Sequence, residues 1–246
     1  VPYPGPMTRA EVERAVSISC KRMGVDSLDL LQFHWWDYGD ERYLSALEHL
    51  AELQQEGRLK HLALTNFDTE HLRTITERGI QIVSNQVQYS IVDRRPAKQM
   101  AEFCRLHGIT LLAYGTVLGG LLSERYLGRP EPRRDELNTA SLQKYKQMID
   151  VWGGWGLFQE LLAQLKRIAD KHQASIANVG VRFVLERPAV AGVIVGARLG
   201  LAEHIADNQR VFNFALDEAD YAELEPMLAK SRDLMAAIGD CGDEYR

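Results

Sequence analysis

Gly24-Val25-Asp26-Ser27-Leu28-Asp29-Leu30-Leu31-Gln32-Phe33-His34 opens on a helix stop, continues as a short apolar run and ends on a polar side chain. Just upstream, Thr8 stands three residues before Glu11, the form of a capping box, so a helix is predicted over 8–23. Glycine just past a helix takes the left-handed conformation cheaply. The same format recurs. A helix through Tyr43, Leu47, Leu50 and Leu53 leads to Gly57 and a run over 59–66. A helix from Asp68 leads to Gly79 and Ile82-Val83-Ser84-Asn85-Gln86-Val87, and one from about Arg95 leads to Gly108 and a run over 109–114. A fifth run, 190–195, follows helices predicted over 157–171 and 175–186; in the first, Phe158, Leu161, Leu162, Leu165 and Ile168 fall at helical spacing. Further helices are predicted over 201–212 and 217–230. Residues 125–156, with Pro130, Pro132 and Trp152-Gly153-Gly154-Trp155-Gly156, read as one large loop.

The apolar runs are nearly continuous, the pattern of strands buried on both faces of a parallel sheet. Strand–helix repetition argues an α/β fold with right-handed crossovers. An open doubly wound sheet and an eight-stranded barrel compete. No GxGxxG turn follows an early strand, which weakens the first. Polar residues at the ends of the runs (His34, Asn66, Gln86, Tyr114) suit the active face of a barrel. Five strands are counted rather than eight. No linker is visible, so 1–246 is expected to form a single domain.

With 246 residues, 46% apolar and 26% charged, the composition is that of a soluble globular protein. Lys+Arg is 29 against Asp+Glu 34, a formal charge of −5. Nucleic acid and anionic membranes need clustered positive charge, so neither is an expected partner. The longest uncharged stretch, 109–123, falls short of the roughly 18 to 20 apolar residues that span a bilayer. No secretory signal is visible. Cys20, Cys104 and Cys241 are far apart and odd in number, so reduced thiols and a cytoplasmic location are expected. The histidines show no ligand spacing, and no metal is expected. The first residue is Val, so the chain need not be a complete gene product.

Five segments resemble the aldo-keto reductase family, in family order. Leu30-Leu31-Gln32-Phe33-His34-Trp35 looks like the strand that ends in the family's active-site histidine. Leu64-Thr65-Asn66-Phe67 and Asn85-Gln86-Val87-Gln88-Tyr89 are similar to its S-N-F turn and N-Q-V-E-Y strand end. Ala113-Tyr114-Gly115-Thr116-Val117-Leu118-Gly119-Gly120-Leu121-Leu122 resembles A-Y-S-P-L-G-x-G-L-L. Val193-Ile194-Val195-Gly196-Ala197-Arg198, with Glu203 and Asn208 beyond, resembles the I-P-G-x-R segment.

The resemblance implies a (β/α)8 TIM barrel, here partial, with strands four to eight present and the first three preceding Val1. It also implies NADPH-dependent reduction of aldehyde or ketone carbonyls by hydride transfer. His34 is the one catalytic position carried over; the family's aspartate, proton-donating tyrosine and lysine have no match here. Cofactor contacts fall on Thr65, Asn66, Gln86 and Tyr114, and on Gly115, Thr116, Leu118 and Gly119, with Gly120, in a loop read as entering a helix and cradling the pyrophosphate. Gly196, Arg198, Glu203 and Asn208 fall at the adenosine end, and Arg198 suits a 2′-phosphate because guanidinium pairs bidentately with it. Asn66 and Gln86 equally suit the barrel's own loops. Trp35 and Trp36 suit barrel-mouth packing as well as a substrate wall. Two readings follow: a reductase whose proton donor lies outside these residues, or a truncated, non-catalytic nucleotide-binding or protein-interaction module. In either, open sheet edges invite oligomerisation.

Overall fold

The computed structural model describes residues 5–197, 200 and 204–242. Helix α1 (Arg9–Met23) opens on the anticipated capping box: the Thr8 hydroxyl accepts from the Glu11 N–H while the Glu11 carboxylate accepts from the Thr8 N–H. Gly24 closes it at φ 68°, its N–H directed at the carbonyls of Cys20 and Lys21. The chain continues through β1 (Leu28–His34), α2 (Arg42–Gln55), β2 (Leu59–Thr65), α3 (Thr69–Glu77), β3 (Ser84–Gln88), α4 (Met100–His107) and β4 (Thr110–Tyr114). Then come α5 (Ala140–Trp152), α6 (Gly154–Lys171), α7 (Ile176–Leu185), β5 (Val190–Ile194), α8 (Ile205–Gln209), α9 (Glu218–Leu228) and α10 (Leu234–Ile238).

All five strands join one sheet in the order β1-β2-β3-β4-β5, each neighbouring pair parallel. A doubly wound sheet reverses direction at a switch point. This sheet never does: each strand is laid on the edge its predecessor left, the winding of a (β/α)8 barrel. The fold is α/β, a five-stranded portion of that barrel.

Two expectations are corrected. Residues 125–156 are not a loop, because they contain α5 and the start of α6. Tyr145, Met148, Ile149 and Trp152 recur at helical spacing and are buried, and the Thr139 hydroxyl caps the helix by accepting from the Leu142 N–H. Trp152 and Trp155 of the glycine-rich cluster belong to the core formed with Phe158, Leu161 and Leu165 of α6. Burial on both sheet faces holds only in the central strands. Leu62, Ala63 and Leu64 of β2 and Ser84, Asn85, Val87 and Gln88 of β3 are buried, whereas Leu30 (43% exposed) and Gln32 of β1 and Ile194 (45%) of β5 are open. Both faces are thus buried in the central strands, and one face opens towards the outer strands β1 and β5.

Candidate active site

Residues directly opposite in a parallel pair point to the same face. His34 pairs with Thr65, and Thr65 with Gln86, so three polar side chains form one row across β1, β2 and β3 at their C-terminal ends. Adjacent members are separated by the strand spacing of about 4.8 Å. One step further along that face, Gln88 stands opposite Tyr114, and Tyr114 opposite Ile194. His34, Thr65, Gln86 and Tyr114 are all half-buried. The amide of Gln86 makes no hydrogen bond among the described residues, and a half-buried amide with a free donor and acceptor is a recognition group.

Asn66 begins the turn beyond β2 at φ 58°, a conformation that asparagine tolerates better than most residues. Its N–H donates to the Gln86 carbonyl (2.9 Å), and its Oδ1 accepts from the Tyr114 hydroxyl (2.8 Å). Tyr114 thus joins the β2 and β4 ends across the width of β3. Two residues outside the expected set fix this turn. The amide of the fully buried Asn85 donates to the Phe67 carbonyl at 2.7 Å, and the Tyr38 hydroxyl donates to the Asn66 carbonyl at 3.0 Å. His71 stacks on Tyr38 with centroids 3.6 Å apart, and its Nδ1 lies 2.7 Å from Asp68, the N-cap of α3. Asn85 carried a usable signal, since a buried mid-strand amide needs a specific partner; Tyr38 carried none.

The glycine loop differs from expectation. Leu118–Gly120 is a single 3₁₀ turn, and no α-helix begins there. Gly115 (φ 73°) and Gly119 (φ 67°) lie under α5: a Cβ on Gly115 would stand 2.4 Å from the Tyr145 hydroxyl, and one on Gly119 2.9 Å from the Ser141 Oγ. Their missing side chains accommodate the protein's own helix. Leu118 is buried in the core at φ 52°. Gly120 faces open space, and the Thr116 hydroxyl is buried with no partner. Lys144 of α5 places its ammonium 5.4 Å from the centre of the Tyr114 ring. Of the expected loop contacts, Gly120 alone is exposed with open space beside it, and Thr116 and Leu118 are buried.

The adjacent tryptophans part company. Trp35 is buried, stacked on Phe33 at 5.8 Å, its indole N–H donating to the carbonyls of Asp37 and Asp40. Trp36 is half exposed and 4.7 Å from the His34 ring. Gly196 is exposed just beyond β5, and Asn208 is half-buried on α8 with its N–H donating to the His204 carbonyl. Arg198 and Glu203 lie outside the described residues. Ligand atoms of His172, Asp217 and Asp220 lie within 4.8 Å of one another, but Lys171 pairs with both carboxylates and His172 with Asp220.

A singly wound parallel sheet with an amide, an imidazole, a hydroxyl and a tyrosine at its strand ends is a portion of a (β/α)8 barrel with polar groups at the C-terminal face. The model of the Aldo/keto reductase family matches residues 1–229, and the chain belongs to that family. It is 30% identical over 179 residues to flagellar radial spoke protein 5 of Chlamydomonas reinhardtii, covering 65% of this chain and 34% of that protein. It is 24% identical over 219 residues to the NADH-specific methylglyoxal reductase of Escherichia coli, covering 88% of this chain and 64% of that one. A solved aldo/keto reductase from Klebsiella pneumoniae, in complex with NADP and acetate, has the same fold: TM-score 0.65, 20% identity, 92% of this chain and 68% of that chain. The chain thus spans about a third of one curated relative and under two thirds of the other.

Proposed function

We propose that this chain carries the cofactor-binding and substrate-orienting parts of an NADPH-dependent carbonyl reductase. The observation behind it is the row His34, Thr65 and Gln86 beside the Tyr114–Asn66 pair, at the strand ends of a sheet from this family. NADPH, when bound, supplies a hydride to the carbonyl carbon of an aldehyde or ketone. His34 donates a hydrogen bond to the carbonyl oxygen and orients it, and Trp36, with Trp35 packed behind, walls the substrate. Thr65, Asn66 and Gln86 hold the carboxamide, and Tyr114 supports the nicotinamide ring. The loop of Gly115, Thr116, Leu118 and Gly119 holds the pyrophosphate, with the exposed Gly120 its direct contact. Gly196, Arg198, Glu203 and Asn208 take the adenosine end. Arg198 on the 2′-phosphate favours NADPH, and the NADH-specific relative makes that choice a direct test.

Titration of nucleotide fluorescence tests the reading. The chain is expected to bind NADPH more tightly than NADH, and Arg198→Ala to erase the difference. Binding of neither nucleotide overturns it. No aspartate, tyrosine and lysine here match the family's proton-delivery set, so these 246 residues are expected to bind nucleotide without reducing carbonyls at a useful rate. The 30% identical radial spoke relative favours a second reading, a non-catalytic nucleotide-binding or interaction module. Assaying the protein from its natural source with a panel of aldehydes separates the two: turnover supports the reductase, nucleotide binding without turnover the module.

A further inference from the structure

A cavity of about 340 Å³ lies away from the strand-end row, between the chain following β3, the end of α7 and the α9–α10 connection. That volume is at the small end for small-molecule sites. Its lining is strongly cationic: Arg94, Arg95, Lys98, Arg187 and Arg232, against the single carboxylate Asp233. Two of the five are neutralised, Arg95 by the buried Asp93 at 2.8 Å and Lys98 by Asp233 at 3.1 Å. Arg94, Arg187 and Arg232 have no carboxylate within ion-pair distance among the described residues.

The two half-buried arginines are held in place by neutral groups. Arg94 Nη2 donates to the Leu228 carbonyl (3.1 Å) and the Ser231 hydroxyl (3.4 Å). Arg187 Nε donates to the Phe183 carbonyl (3.0 Å), and the guanidinium rests on the Phe183 and Tyr221 rings at 4.4 and 4.8 Å. Carbonyl and ring contacts orient a guanidinium without cancelling its charge. Burial pulls the Arg94 pKa down, the Asp233 carboxylate acts against that, and Arg187 is near enough to repel the guanidinium. The wall also contains Tyr89, completely buried, whose hydroxyl has no hydrogen-bond partner. Burial pushes that hydroxyl up to about 12, and Arg187 and Arg94 are among the charges that act on it, so it is a neutral donor close to both. An orphaned buried hydroxyl carries a desolvation cost that a ligand acceptor would relieve.

We propose that this cavity is a binding site for a phosphate dianion, held by the guanidinium groups of Arg94 and Arg187 and by the Tyr89 hydroxyl. The phosphate is either free or the head group of a small phosphate monoester, since the volume is too small for a dinucleotide. The site does not depend on the proposed nucleotide reading, because it shares no residue with the strand-end row.

Calorimetric titration at constant ionic strength, with inorganic phosphate in one arm and glycerol 1-phosphate in the other, tests the proposal on the wild-type chain, Tyr89→Phe and Arg94→Gln. Tyr89→Phe is the decisive variant, because it deletes an unpartnered hydroxyl and leaves the ring in place. It is expected to fold with an unchanged or higher Tm without ligand, and to bind about tenfold more weakly, the loss of one hydrogen bond to a charged group. Arg94→Gln is expected to lose at least as much. Tighter binding in the glycerol 1-phosphate arm identifies an esterified ligand, and equal or tighter binding of inorganic phosphate a free one. Either supports the site. Absence of wild-type binding up to about 10 mM in both arms, or wild-type affinity in Tyr89→Phe, overturns it.

Discussion

Asp93 and Arg95 form the most deeply buried ion pair described here, at 0% and 1% exposure, with two parallel bonds of 2.8 Å from the guanidinium to the carboxylate. Arg95 also donates to the Asp240 carbonyl (2.8 Å), and the Asp240 carboxylate accepts from the Thr69 N–H and hydroxyl, so the pair anchors a chain segment from far along the sequence. Removing Asp93 deprives the buried Arg95 guanidinium of its bidentate carboxylate. Asp93→Ala is therefore expected to cost about 3–5 kcal/mol in urea unfolding. Asp93→Leu with Arg95→Met is expected to recover part of that, because the guanidinium is removed together with its bidentate carboxylate. The Tyr114 hydroxyl is a smaller contributor: Tyr114→Phe loses one hydrogen bond to Asn66. It is expected to cost about 1 kcal/mol of stability in the same measurement.

The glycine loop and α5 show how one element dictates residues in another. Gly115→Ala requires a side chain at φ 73° and sets its Cβ 2.4–2.9 Å from Tyr145. A destabilisation of about 1–3 kcal/mol is expected, reduced in a Tyr145→Ala background where the steric part is relieved; a double-mutant cycle in urea measures it. At the start of α9, the Lys171 ammonium and the Asp220 N–H bond the Asp217 carboxylate and lower its pKa from 3.8 to about 2. The folded value lies below the unfolded one, so this contribution is complete above about pH 4 and is lost as pH falls towards 2. Asp217→Asn is expected to flatten the fall of Tm over that window. The capping box at Thr8 and the glycine stops at Gly24 and Gly108 were legible in the sequence because they are local. Helix α5 was not, since Pro130, Pro132 and the surrounding charges obscured a Tyr145-to-Trp152 period whose burial depends on distant partners. The strand-end row was legible through its residue types. Its clamps, Tyr38 and Asn85, depend on how separate strands meet.

Across the whole molecule, β1 pairs only with β2 and β5 only with β4 among the described residues, so the sheet has two edges on which no described strand pairs. Leu30 and Ile194, on those outer strands, are more than two-fifths exposed. Unpaired edges beside exposed apolar residues promote association. These 246 residues are expected to show concentration-dependent association in sedimentation velocity, with Leu30→Lys and Ile194→Lys shifting the chain towards monomer. The order of the strands also has a consequence in time. Every strand from β2 onward is paired with the strand synthesised just before it. At the ribosome, each newly emerged segment therefore finds its template already present, and the sheet can grow at the pace of translation without waiting for a later part of the chain.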